Sequence, residues 1–163
     1  MKSKVLIPVD TARNSLTAEE YALKLNWRMP ISVTLLNVVN TKRLEGHGIS
    51  PDDQERIKKA MHRRADDVMK KAAEPFAKAE VDFDSRIVEG APGLTICRIA
   101  EEENFDMVII PQSGLSELEE ILGGSVVRTV LNQCQVPVLL VKHTSEQMDK
   151  QRKLRGEKEL LPG

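Results

Sequence analysis

Phosphate-binding chemistry needs backbone N–H groups that a ligand can approach closely, and two stretches of this chain offer them. Gly114 follows an apolar run shortly after Pro111, and Gly123-Gly124-Ser125 opens what reads as a helix. Glycine lets an anion reach the backbone, and the free N–H groups and dipole of a helix start favour negative charge. Ser125 adds a hydroxyl donor. The same Gly124-Ser125 pair also suits a plain helix cap, serine being a good N-cap, and residue types alone leave both readings open. Asp10 is the one carboxylate that follows an apolar strand-like run directly, where it can meet a ligand or shape a turn.

Other site chemistries find no support. There is no G-x-x-x-x-G-K-[ST] loop, and no G-x-G-x-x-G after the first strand. Gly114-Leu-Ser116-Glu-Leu118 lacks the second glycine of a nucleophile elbow. His47, His62 and His143 stand in separate segments without metal-ligand spacing and read as surface residues. Cys97 and Cys134 form no metal or redox motif, and Cys97 reads as core on its helix.

The elements that must position these residues alternate in kind. Val5 to Val9 is short, apolar and free of charge, as a strand buried on both faces should be. Ser15 to about Trp27 has helical spacing and is closed by Met29-Pro30; Val33 to Val39 is a second buried strand. A long helix begins at Pro51, with Asp52 and Asp53 at the positive end of its dipole. Ile57, Met61, Ala65, Val68, Ala72 and Phe76 mark its buried face, and Pro75 is expected to kink or end it. Its opposite side mixes seven basic residues with Glu55, Asp66, Asp67 and Glu74, the pattern of a solvated face.

Val81 to Ile87 alternates with charges, predicting a half-exposed edge strand. Gly90 to Gly93 turns into a helix through Glu103, with Leu94, Ile96, Cys97, Ile99 and Ala100 on its buried side. Phe105 to Ile110 reads as a central strand, Ser125 to Gln133 as a helix and Val136 to Val141 as the last strand. The order β-α-β-α-β-α-β-α-β predicts an α/β fold, a doubly wound parallel sheet with helices on both faces. In such sheets ligands bind beyond the carboxyl ends of the strands, where strand order reverses. The expected organisation is one domain over residues 1–143 and a charged tail over 144–163, flexible or a short surface helix.

Composition narrows the class further. In 163 residues, 24 Lys+Arg face 25 Asp+Glu, without the basic surplus of a nucleic-acid coat. The five aromatics, Trp27, Tyr21, Phe76, Phe83 and Phe105, are too few for a base-stacking surface. No apolar run approaches the ~20 residues of a membrane span, and Pro8 and Asp10 interrupt the N-terminal run too early for a signal peptide. A cytoplasmic location with reduced thiols is the expectation.

Three segments together carry a family likeness: Val5-Leu-Ile-Pro-Val-Asp10, Val88-Glu-Gly-Ala-Pro92, and Gly114-x9-Gly124-Ser125 followed by Val136-Pro-Val-Leu-Leu-Val141. They resemble the universal stress protein family, in order, over roughly residues 2 to 143. The resemblance implies a Rossmann-like five-stranded sheet of order 3-2-1-4-5 and a role in stress response. It implies an adenine nucleotide, ATP or AMP, with Mg²⁺ or Mn²⁺ as a bridging ion, and a homodimer through Val136 to Val141. Carried onto this chain, Pro8, Val9 and Asp10 would line adenine and ribose, and Val39 the adenine. Gly114, Gly124 and Ser125 would hold phosphates, with Val126 following at the helix start. The family's signature reads G-x-x-G, nine residues, then G-[ST]. Here its first glycine is Pro111, beside the ribose, which fixes φ and removes a donor. Glu117, Glu119 and Glu120 stand where many nucleotide-binding members carry Lys or Arg; they repel phosphate, face solvent, or approach it through a divalent ion. The alternative is a dimeric interaction protein that binds no nucleotide and meets an unknown protein partner through its surface and tail. Enzymatic activity is at most slow ATP hydrolysis, since no general base beyond Asp10 and no loop lysine is evident.

Overall fold

A computed structural model describes residues 1–10, 17–111 and 125–142. Its core is a five-stranded parallel sheet of order β3-β2-β1-β4-β5. The strands are β1 (Ser3–Pro8), β2 (Ile31–Val39), β3 (Phe83–Glu89), β4 (Met107–Pro111) and β5 (Val138–Val141). Among the described residues four helices accompany them: α1 (Thr17–Asn26), α2 (Pro51–Lys78), α3 (Pro92–Glu102) and α4 (Ser125–Gln133). A 3₁₀ turn, Thr41–Leu44, follows β2. Among the described residues no helix is long and apolar enough to cross a membrane.

The period-2 alternation of a strand divides the core into two layers. Val5 and Ile7 of β1, with Val33 and Leu35 of β2 and Ile109 of β4, face α1 and α2 and meet Ala18, Ala22, Met69, Ala72 and Phe76. Leu6, Leu36, Val108 and Ile110 point the other way, onto Ile96, Cys97, Ile99 and Ala100 of α3 and Val130 of α4. Strands covered on both faces need uninterrupted apolar runs, which is why the central strands read as they do.

Helix α2 opens on a Ser50 cap, whose hydroxyl accepts the Asp53 N–H at 3.2 Å, with Pro51 in the first turn. Its 28 residues extend roughly 42 Å, longer than any strand it covers. The buried residues Ala65, Met69, Ala72 and Phe76 therefore lie in its second half, while Ile57, expected on the buried face, is exposed. Pro75 does not end the helix, which continues to Lys78. The proline forfeits a single bond near the C-terminus, and fully buried Phe76 holds the last turn against the sheet, its ring 6.1 Å from that of Phe83. Leu94 is a second correction: it lies on the outer side of α3 and is exposed. The close approach of α3 to α4 rests on Gly93, where a Cβ would come within 2.6 Å of Thr129 Cβ.

Candidate functional site

β1 is the strand where the winding reverses: the chain leaves it through α1 to β2 on one side, and β4 lies on the other. Its ladders differ in length. With β2 it pairs from Ser3↔Ile31 through Pro8↔Leu36, and β4 pairs with β5 through Pro111↔Val141. Between β1 and β4 the pairing spans only Val5↔Met107 and Leu6↔Val108. Beyond those residues each strand, among the described residues, stays bonded to its outer neighbour alone, at the switch point where open parallel sheets form their ligand crevice.

The cause lies in two residues. Along a parallel strand successive residues direct their N–H and C=O to alternate sides. Val9 N donates to Leu36 O of β2 at 2.8 Å, so Pro8 faces β4. Val108 N donates to Pro137 O beside β5 at 2.9 Å, so Pro111, three residues on, faces β1. The next two ladder bonds would require an N–H at position 8 to reach Ile109 O and an N–H at position 111 to reach Pro8 O. Proline has no N–H to give, and the ladder stops there.

Along the carboxyl edge of the sheet stand Pro8, Val9 and Asp10 at the end of β1, Val39 at the end of β2 and Pro111 at the end of β4, with Val126 in the first turn of α4. Val9 and Val126 are half-buried, Asp10 is exposed and Val39 is buried. Val9 packs against the α1/α2 layer and Val126 against the α3/α4 layer, one on each side of the sheet. Gly114, Gly124 and the side chain of Ser125 lie outside what is described, as do Glu117, Glu119, Glu120 and residues 143–163.

Asn37 is a site residue that the sequence reading missed. It is buried in β2, and its Nδ2 donates to Val9 O at 2.7 Å, which fixes the chain as it turns toward Asp10. Its Oδ1 is buried without a hydrogen-bond partner among the described residues. The available signal was a lone amide inside the apolar run Val33–Val39, a polar group that burial tolerates only with a partner.

The β2–β3 side of the same edge is closed. Gly90 N donates to Val39 O at 3.1 Å, extending the ladder past Val39↔Glu89. Glu89 accepts from His62 Nε2 at 2.9 Å, Lys58 Nζ at 3.1 Å and Thr41 Oγ1 at 3.4 Å. The His62 hydrogen bond and then that of Lys58 hold its carboxyl below the usual carboxylate range. These contacts tie the overhanging half of α2 to the sheet. A different carboxyl marks the start of α1: Glu19 is 4% exposed, and burial pushes its pKa up to about 7. No group of three or more metal-ligating side chains exists among the described residues.

Comparison with known proteins agrees with this architecture. A family model described as the universal stress protein family matches residues 1–142. Universal stress protein MJ0531 of Methanocaldococcus jannaschii is 27% identical over 139 residues, 85% of this chain and 81% of its own length. The solved structure of MJ0577 from the same organism superposes with a TM-score of 0.73 at 27% identity, covering 89% of this chain and 99% of that one. An Arabidopsis thaliana universal stress protein family structure with AMP bound has the same fold, with a TM-score of 0.64 at 17% identity, covering 88% of this chain and 94% of that one. Other structures of this fold are complexes with cAMP and with dAMP, at TM-scores of 0.61 and 0.60 and identities of 20% and 19%. With its five-stranded order and a family match over residues 1–142, this protein belongs to the universal stress protein family.

Proposed function

We propose that the chain is a stress-response module that binds an adenine nucleotide, ATP or AMP, in the crevice between β1 and β4. The observation that carries this reading is the β1–β4 ladder, stopped after Leu6↔Val108 by two facing prolines at the switch point. The AMP, cAMP and dAMP complexes of structural neighbours support it. On this reading the apolar side chains of Pro8, Val9 and Val39 border the adenine, and the Asp10 carboxylate accepts from the ribose hydroxyls. Pro111 borders the ribose, while Gly114, Gly124, Ser125 and the N-terminus of α4 at Val126 meet the phosphates, with Mg²⁺ or Mn²⁺ where the ligand is a triphosphate. Asn37 acts at one remove, by holding the Val9 carbonyl in place.

A homodimer through β5 belongs to the same proposal. β5 is an edge strand whose four residues are all half-buried aliphatics, a row that pairing with a second copy would cover. Light scattering on the full chain should give twice the monomer mass, reduced to the monomer by Leu140→Lys.

Calorimetric titration with AMP and with ATP, with and without Mg²⁺, tests nucleotide binding, together with mass spectrometry of whatever denaturation releases. The expected result is one nucleotide per chain, lost in Gly124→Asp. No heat with either nucleotide and no released nucleotide overturn the reading and leave the family's interaction role, acting through the surface.

A further inference from the structure

The two cysteines are 37 residues apart in sequence, yet their sulfurs touch: Cys134 Sγ lies 2.7 Å from Cys97 Sγ. Cys97 is buried in the middle of α3, while Cys134, just past the end of α4, is half-buried, and both are free thiols. The pairing is built into the fold. Cys134 N donates to Val130 O at 3.1 Å, and Gln135 N donates to Glu101 Oε1 at 2.9 Å, one turn after Cys97 on α3. Gly93 and Thr129 bring the same two helices together further along. The sulfurs are thus held together by backbone and side-chain contacts that do not involve them.

We propose that Cys97 and Cys134 are a redox-convertible dithiol, which a hydroperoxide oxidises to an intramolecular disulfide joining α3 to the α4–β5 junction. Cys134, the more exposed sulfur, reacts first. Its thiolate attacks a peroxide oxygen, the O–O bond breaks, and the products are a sulfenic acid and hydroxide (water, for hydrogen peroxide, once protonated). The Cys97 sulfur then attacks the sulfenic sulfur, and the S–O bond breaks. The Cys97 thiol proton leaves with that hydroxyl as water, so two thiols and one H₂O₂ give one disulfide and two waters. Reduction by a dithiol reverses the change. The bridge closes a loop of chain that contains α4 and β4, the strand across the crevice from β1. Oxidation therefore fastens the end of that loop covalently to α3, whatever ligand the crevice takes.

Reaction is slow at neutral pH. Burial, followed by the Cys97 contact and the Glu101 charge, pushes the Cys134 thiol up to about 12, so little thiolate is present.

The test uses the full chain, reduced and desalted, then held in hydrogen peroxide at pH 8.5. Intact-mass spectrometry should show a monomer lighter by about 2 Da, with both thiols lost to titration under denaturing conditions and recovered with dithiothreitol. The melting midpoint of the oxidised chain should rise by about 10 °C. Cys97→Ala and Cys134→Ala should show neither the mass loss nor the rise. Two thiols persisting after exposure, covalent dimers as the main product, or a gain of about 32 Da on one cysteine without the 2 Da loss overturn the proposal. Since the mass of the unmutated chain decides the matter, a variant that folds poorly does not remove the test.

Discussion

If two missing donors create the crevice, supplying them should close it. Pro8→Val/Pro111→Val places an N–H opposite Ile109 O and another opposite Pro8 O, in the register already set by Leu6↔Val108. Each restored backbone bond contributes about 1 kcal/mol. Losing each proline costs about 0.4–1 kcal/mol, because the unfolded chain regains freedom. Global stability should therefore change little, by at most about 1 kcal/mol. The local effect is larger: reopening the gap now means breaking both bonds, about 2 kcal/mol, which lowers affinity for a ligand in the crevice by roughly thirtyfold. Each single variant should lose roughly fivefold. Two assays read this separately. Hydrogen exchange should show the new amides at positions 8 and 111 protected like their ladder neighbours, and AMP titration should show the weakened binding. New amides that exchange as fast as exposed peptide would refute the ladder argument even if no nucleotide binds at all. Protected amides with unaltered AMP affinity would refute the crevice as the binding place.

Two further changes probe the frame around the site. Burial gives Glu19 a folded pKa of about 7 against 4.5 for an ordinary glutamate, so the folded chain keeps a proton that the unfolded chain gives up between those values. Stability should then fall as pH rises from about 4.5 to 7, by about 3 kcal/mol in total. Glu19→Gln should remove that slope in urea titrations at pH 5 and pH 8; an unchanged slope would assign the dependence elsewhere. Gly93→Ala sets a methyl 2.6 Å from Thr129 Cβ and should cost about 1–3 kcal/mol as α3 and α4 are pushed apart. Leu94→Ala at the exposed neighbouring position is the control, expected within about 0.5 kcal/mol of the parent.

Which features could be read from sequence follows from the range of the forces that set them. The run Val5–Val9 announced a strand covered on both faces, which holds for Val5, Leu6 and Ile7, while Pro8 and Val9 at its end are half-buried. The misplacement of Ile57 came from a fact outside α2, namely that the sheet beneath it is shorter than the helix. Leu94 failed similarly: apolarity said buried, but α3 has only one covered side. The nearness of Cys97 and Cys134 has no local period to reveal it. The topology did contain a signal, however. The chain moves one way across the sheet from β1 to β2 to β3, then returns to β4 and continues to β5. Right-handed crossovers place α1 and α2 on one face and α3 and α4 together on the other, so a cysteine on α3 and one following α4 were candidates for contact.

Asp10 and Val39 could be placed from the ends of apolar runs, but the meaning of Pro111 needed the register. Read alone, a proline in place of the family's glycine is a lost donor beside the ribose. Set opposite Pro8, it is half of the device that keeps the strands apart. Glycine and proline then serve one end by different means: glycine lets a ligand approach the backbone, and proline keeps a neighbouring strand from occupying the same acceptors. Among the described residues the carbonyls of Pro8 and Ile109 face the gap without a ladder donor, and the Asp10 carboxylate follows directly in the chain. That end of the crevice presents acceptors, which suit the hydroxyl and amino donors of a nucleoside and disfavour phosphate oxygens. On the proposed reading, recognition at β1 and β4 is therefore of the nucleoside. Discrimination between AMP and ATP falls to the segment from Gly114 to Ser125, where three glutamates stand beside the glycines.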